Sequence, residues 1–235
     1  MTTALVLSAG GMYAAWQAGV WEALRERFRP DLIAGASAGA WNGWAIAGGC
    51  TPGELARVWT DPDTGAILQP LWRPDPRRLR AKAREMFEKY HPVLPFGLTV
   101  VEVPRLRPKL VCDSEITALH LAAAASIPLV FPPVRIGGKR YVDGGLMGAL
   151  PLWAAEKMGA TRVIALNVLN SLPFRALHTV MRPPRASGSL EVTLLQPSER
   201  LGPLRAAACW SAQNAERWIT LGRRDGERAL RQLSL

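Results

Sequence analysis

Apolar residues fall into two kinds of run in this chain, and the two kinds alternate from one end to the other. Short apolar runs bounded by Gly, Pro or Asp predict buried strands near residues 4–8, 31–34, 99–103, 108–112, 134–136, 140–142, 162–167 and 190–195. The longer stretches between them carry apolar residues at helical spacing. Trp16, Val20, Ala23, Leu24 and Phe28 share one side of a helix predicted over 14–28. Further helices are predicted near 38–47, 53–59, 76–90, 115–125, 151–158 and 204–233, with Thr51-Pro52 and Asp75-Pro76 reading as helix starts. Alternation of this kind predicts an α/β fold, a three-layer α/β/α sandwich around a mainly parallel sheet. At 235 residues the chain has the length of one such domain. Its clearest candidate insertion runs from about residue 61 to 108.

Three junctions between strand and loop carry candidate chemistry. Gly35-Ala36-Ser37-Ala38-Gly39 lies between the apolar run Leu32-Ile33-Ala34 and the next predicted helix, the context in which G-x-S-x-G makes a sharp turn with a projecting hydroxyl. Small neighbours leave space above Ser37, and the helix N-terminus favours negative charge developing there. Ala9-Gly10-Gly11 follows the first strand and precedes a helix, so its backbone N–H groups are free for an anion. The loop lacks both G-x-G-x-x-G and a G-K-[ST] ending, which leaves an oxyanion hole as the other use for such donors. Far downstream, Asp143-Gly144-Gly145 ends a strand that follows a turn at Gly137-Gly138. Its aspartate is placed to face a cleft, although the stretch alone reads as a plain turn.

Together these stretches resemble the patatin-like phospholipase family. The family pattern is a Gly-rich loop after the first strand, an early G-x-S-x-G, and a D-G-[GA] triplet after an S-x-x-P…F-P-P segment, here Ser126 to Pro133. Gln17-Ala18-Gly19-Val20 and the late strand from Leu190 to Pro197 also look like the family, so the resemblance runs from about Thr3 to Pro197. It implies a patatin-like fold and a lipid acyl hydrolase of the phospholipase or lysophospholipase kind, working through an acyl-serine on a Ser–Asp dyad. Ser37 would attack the acyl carbonyl, Asp143 would take its proton, and the backbone N–H groups of Gly10, Gly11 and Met12 would hold the oxyanion. Neither a metal nor an organic cofactor is implied.

The chain also departs from the family. The family loop reads Gly-Gly-Gly-x-Arg/Lys-Gly; here it is Ala9-Gly10-Gly11-Met12-Tyr13-Ala14, with tyrosine in the basic position and alanine in two glycine positions. Ala149 stands where the family often has Asn two residues before a proline. A catalytically weak lipid-binding relative, and an acyltransferase using the same acyl-serine, therefore stay open. A Ser37–Asp143–His178 triad has the chain order of an α/β-hydrolase. It is set aside because the elbow follows only the second predicted strand and His178 lies in a Pro-, Arg- and Ser-rich stretch. His91 and His120 adjoin no glycine-rich motif.

Charge narrows the partners. The net charge is +10, and residues 73–109 hold ten Lys/Arg against four Asp/Glu. In the helix near 76–90, Leu79, Ala83, Met86, Phe87 and Tyr90 share one face, while Arg77, Arg78, Arg80, Lys82 and Arg84 occupy much of the rest. Such a helix suits peripheral contact with an anionic membrane surface, and equally a solvated helix packed on the core. A nucleic-acid-binding module shares the positive charge, but the chain has no zinc spacing, RNP-like motif or helix-turn-helix, so no specific nucleic acid is expected. Of nine tryptophans, Trp16, Trp41 and Trp44 adjoin the candidate loops and Trp72 adjoins the basic helix, positions for an acyl pocket or a membrane interface. There is no run of 18 apolar residues and no basic segment ahead of a hydrophobic one, so neither a spanning helix nor a signal peptide is expected. Cys50, Cys112 and Cys209 are widely spaced and odd in number, which reads as reduced core residues of a cytoplasmic protein. Oligomeric state leaves no trace in the sequence.

Overall fold

The computed structural model describes residues 1–67, 74–169 and 184–233. Its strands are β1 (Thr3–Leu7), β2 (Leu32–Ala36), β3 (Phe96–Val103), β4 (Arg107–Cys112), β5 (Val134–Ile136), β6 (Lys139–Asp143), β7 (Arg162–Leu166) and β8 (Glu191–Leu195). Its helices are α1 (Ala14–Leu24), α2 (Ala38–Ala47), α3 (Pro52–Thr60), α4 (Pro62–Ala66), α5 (Pro76–Lys89), α6 (Ala118–Ala124), α7 (Leu152–Lys157) and α8 (Ala212–Leu233). The centre of the sheet is parallel, β3-β2-β1-β7-β8, and its inner strands are buried on both faces, as their continuous apolar runs require. Two antiparallel hairpins, β3–β4 and β5–β6, complete the sheet.

The pairing of β3 determines the geometry of the site. Gly97 to Thr99 pair with β4 and also with β2, so β4 and β2 lie on opposite edges. Val100 to Glu102 pair with β4 and also with β6, so β6 lies on the same edge as β2. Along that edge β2 ends with Ala36 opposite Thr99, and β6 ends with Asp143 opposite Val100. Two strands running toward each other thus meet head to head on consecutive residues of a third.

One sheet face joins α1, α2, α3, α5, α6 and α8 in a single apolar cluster. On the other face, α7 covers a smaller cluster of Ala4, Val6, Leu32, Ala34, Val163 and Ala165. Local signals place the helix starts. Thr51 and Glu54 form a reciprocal capping box ahead of α3, and the Asp75 carboxylate accepts from Arg77 N at 2.8 Å ahead of α5.

Several boundaries differ from the sequence reading. The stretch expected as one helix over 204–233 is a short 3-10 turn at Leu204–Ala207 followed by α8, because Ser211 interrupts it and its Oγ accepts from Asn214 N at 3.3 Å. α4 was not expected; Asp61 starts it by accepting from Asp63 N at 3.0 Å. The central strand β3 begins at Phe96, inside the range read as an insertion. Lys82, assigned to the exposed basic face, is buried, with its ammonium 3.0 Å from both Asp61 and Glu85. Cys50 is buried as expected, but Cys209 is exposed. Trp72 and His178 lie outside the described residues.

Candidate functional site

Ser37 occupies the corner between β2 and α2 with φ 55° and ψ −129°, a left-handed conformation that costs a non-glycine residue about 1–3 kcal/mol. The flanking glycines make that corner possible. A Cβ at Gly35 would stand 2.5 Å from Gly39 O, and one at Gly39 would stand 2.4 Å from Ser8 O. The elbow is therefore pressed directly against the end of β1. The Ser37 hydroxyl donates to Asp143 Oδ2 at 2.5 Å, and Asp143 Oδ1 accepts from Gly145 N at 2.7 Å. Both side chains are buried. Burial pushes the Asp143 carboxyl up to about 7, against the opposing pull of the Ser37 hydroxyl and the Gly145 N–H. A carboxylate of that basicity, hydrogen-bonded to a hydroxyl, can take its proton near neutral pH.

The Gly10–Met12 loop lies beside this pair at the end of β1. Gly11 has φ 53°, the left-handed value in the loop, whereas Gly10 is extended at φ 172°. Ala14 is ordinary helix at φ −63°, and Ala9 is not among the left-handed residues, so the two alanines fall where glycine is not required. The first bond of the following turn is Tyr13 N to Gly10 O at 3.1 Å, which leaves the N–H groups of Gly10, Gly11 and Met12 ahead of it. Ala149 holds the loop through its main chain, accepting from Ala9 N at 2.7 Å, a bond that needs no asparagine side chain.

Tyr13 performs a task the sequence did not show. Its hydroxyl shares its proton between Pro203 O at 2.7 Å and Gly202 O at 2.9 Å, and its ring meets Trp218 edge-on at 5.0 Å. Through these contacts the 202–207 segment is held over Gly11, so closely that a Cβ there would stand 2.2 Å from Ala207 O. A buried polar chain supports the loop from behind. Trp59 Nε1 donates to Asn42 Oδ1 at 2.8 Å, Asn42 Nδ2 to Gln17 Oε1 at 3.0 Å, and Gln17 Nε2 to Ser8 O at 2.9 Å. The available signal was Asn42 itself, a lone amide in a helix that is apolar on every side.

A cavity of about 50 Å³ opens onto Ser37 and is bounded by Gly11, Met12, Trp41, Trp59, Ile67 and Leu79 among others. Trp41 thus lines the cavity; Trp44 instead packs on Phe87 and Phe96, and Trp16 is buried against α8 through Asp225. Of the histidines, His91 is exposed, and His120 Nδ1 accepts from Thr117 N at 3.2 Å to cap α6.

The fold is similar to that of VipD from Legionella pneumophila, with a TM-score of 0.61 at 10% identity over 98% of this chain and 67% of that one. It is also similar to the type III effector protein ExoU, with a TM-score of 0.54 at 14% identity over 100% of this chain and 53% of that one. This chain therefore spans about two thirds and about half of these two proteins, and the likeness is one of fold. No curated protein matches the sequence. The Patatin-like phospholipase family matches residues 5–156, a range that contains the Gly10–Met12 loop, the Ser37 elbow and Asp143. The match extends over more than half of the chain, and the protein belongs to the patatin-like phospholipase family of lipid hydrolases.

Proposed function

We propose that the protein hydrolyses a carboxylic ester of a lipid through an acyl intermediate on Ser37, with Asp143 as its general base. The observation that carries this reading is the 2.5 Å hydrogen bond between a strained serine hydroxyl and a buried carboxylate whose basicity suits neutral pH. Ser37 Oγ attacks the carbonyl carbon and its proton passes to Asp143 Oδ2. The oxyanion receives hydrogen bonds from Gly10, Gly11 and Met12 N–H, each such donor being worth about 3 kcal/mol of barrier. The ester alcohol leaves with the proton held on Asp143. Water, deprotonated by the same carboxylate, then attacks the acyl-serine and releases the acid. The Gly145 N–H on Oδ1 keeps Oδ2 turned toward Ser37 throughout.

Labelling with a fluorophosphonate tests this directly. A single adduct on Ser37 is expected in wild type and in a His178→Ala variant, and none in Ser37→Ala. An adduct elsewhere, or its loss in the histidine variant, contradicts the Ser–Asp assignment.

The substrate reaches this site at a membrane surface. α5 turns Leu79 into the cavity wall and leaves Arg77, Arg78 and Arg80 exposed, so an anionic bilayer under the arginines lies beside the cavity. Among the described residues, no helix is long and apolar enough to cross a membrane. Replacing the three arginines by glutamine is expected to weaken sedimentation with phosphatidylserine vesicles about 100-fold at low salt, at about 1 kcal/mol per charge. Unchanged sedimentation removes α5 from the contact.

A further inference from the structure

We infer that the site accepts only short acyl groups, an inference that rests on Ser37 being the acylated residue. The space available to the acyl chain is the cavity opening onto Ser37, and its volume is about 50 Å³. An apolar protein cavity of about 150 Å³ takes up benzene, six carbon atoms, so a third of that volume holds roughly two or three carbons beyond the carbonyl. Apart from the Thr64 hydroxyl of α4, the walls around Ser37 are apolar: Met12 beside the loop, Trp41 from α2, Trp59 from α3, Ile67 after α4, Leu79 from α5 and Ile127 before β5. They select by size, with no polar group contributing through a hydrogen bond to an acyl chain.

The two largest walls are pinned. Trp41 Nε1 donates to Leu121 O at 2.9 Å, tying its indole to α6. Trp59 Nε1 donates to Asn42 Oδ1 at 2.8 Å, the first link of the chain through Gln17 to Ser8. Swinging either ring aside would leave a buried N–H without a partner, so neither yields to a longer chain. Leu79 and Ile67 are also buried but make no hydrogen bond through their side chains, and they are the residues whose truncation lengthens the cavity. The alcohol part of the ester meets no such limit, because it leaves on the open side. The acyl group is therefore the selected part of the substrate, and the class this site takes is a lipid or other amphiphile bearing an acetyl, propionyl or butyryl ester.

The test uses two fluorophosphonates that differ only in the alkyl group on phosphorus, ethyl against dodecyl. In each, Ser37 Oγ forms the bond to phosphorus, fluoride leaves, and the hydroxyl proton passes to Asp143. The alkyl group takes the place of the acyl chain. Wild type is expected to react with the ethyl reagent more than about tenfold faster, because forcing surplus methylenes into a packed site is unfavourable by an amount of that order. Leu79→Ala and Ile67→Ala should each narrow that ratio, and either variant serves if the other fails to fold. Equal rates with both reagents in wild type, or a faster dodecyl reaction, overturn the size limit while leaving Ser37 as the nucleophile. No reaction of folded wild type with either reagent overturns the Ser37 assignment and the inference with it.

Discussion

Asp143→Asn is expected to lower ester hydrolysis by a factor of about 10² to 10⁴, the usual contribution of a general base, and at the same time to make the protein more stable above neutral pH. Both effects have one cause. The folded carboxyl titrates near 7, pushed up by burial from the ordinary 3.8. The sign follows from the protons bound in each state. Below about 3.8 the group is protonated in both folded and unfolded chains and contributes nothing. Between 3.8 and 7 the folded protein holds a proton the unfolded chain has released, so stability falls as pH rises. Above 7 the full penalty of ionising a buried group is present, about 4 kcal/mol. Asparagine removes the charge while its side-chain oxygen still accepts from Gly145 N–H. Melting temperatures of wild type and variant should therefore diverge from pH 5 to pH 8 and run parallel above it. A gap that is the same at both pH values excludes a buried, weakly acidic Asp143. The same titration predicts that kcat/KM of wild type rises tenfold per pH unit up to about 7 and then levels off.

Gly222→Val should unfold the protein or destabilise it by more than about 4 kcal/mol, a loss reserved for severe core damage. α1 and α8 cross with their backbones almost in contact. A Cβ at Gly222 would stand 2.1 Å from Trp16 O, and one at Gly19 would stand 1.9 Å from Ile219 O. The obstacle at both positions is main chain, which no rotamer change can move aside. α8 also carries Trp218, whose indole donates to Leu201 O at 2.8 Å, and Asp225, which accepts from Trp16 Nε1 at 2.9 Å and Ser198 N at 3.1 Å. Displacing α8 releases the segment that Tyr13 holds over Gly11, so activity should be lost together with stability. Gly53→Ala is the control. That residue lies in the first turn of α3 with no atom within 4 Å of a Cβ, and the change should be neutral or stabilise by up to about 1 kcal/mol. Urea unfolding of the two variants separates these outcomes, and equal midpoints would remove the close crossing as an explanation.

What the sequence determined by itself is local. The Gly35–Gly39 corner, the Gly10–Gly11 loop, the turn after Asp143 and the caps at Thr51 and Asp75 rest on conformations and hydrogen bonds within a few residues, and each leaves its mark in the order of residue types. The alternation of strands and helices is local as well, because apolar spacing records which side of an element is buried. It does not record what the element is buried against. Only the tertiary structure decided that β2 and β6 share one edge of β3, so that Ser37 and Asp143, 106 positions apart, come within hydrogen-bonding distance. The same holds for Lys82, which the helical pattern puts on a solvated face and which is buried in an ion pair with the partly exposed Asp61, 21 positions away. Tyr13 finds its partners 189 and 190 positions downstream, and no residue near it announces them. The volume beside Ser37 is set by six segments of the chain closing at once. Pairing energies of this kind depend on three-dimensional distance, and separation along the chain carries no information about them until the chain has folded.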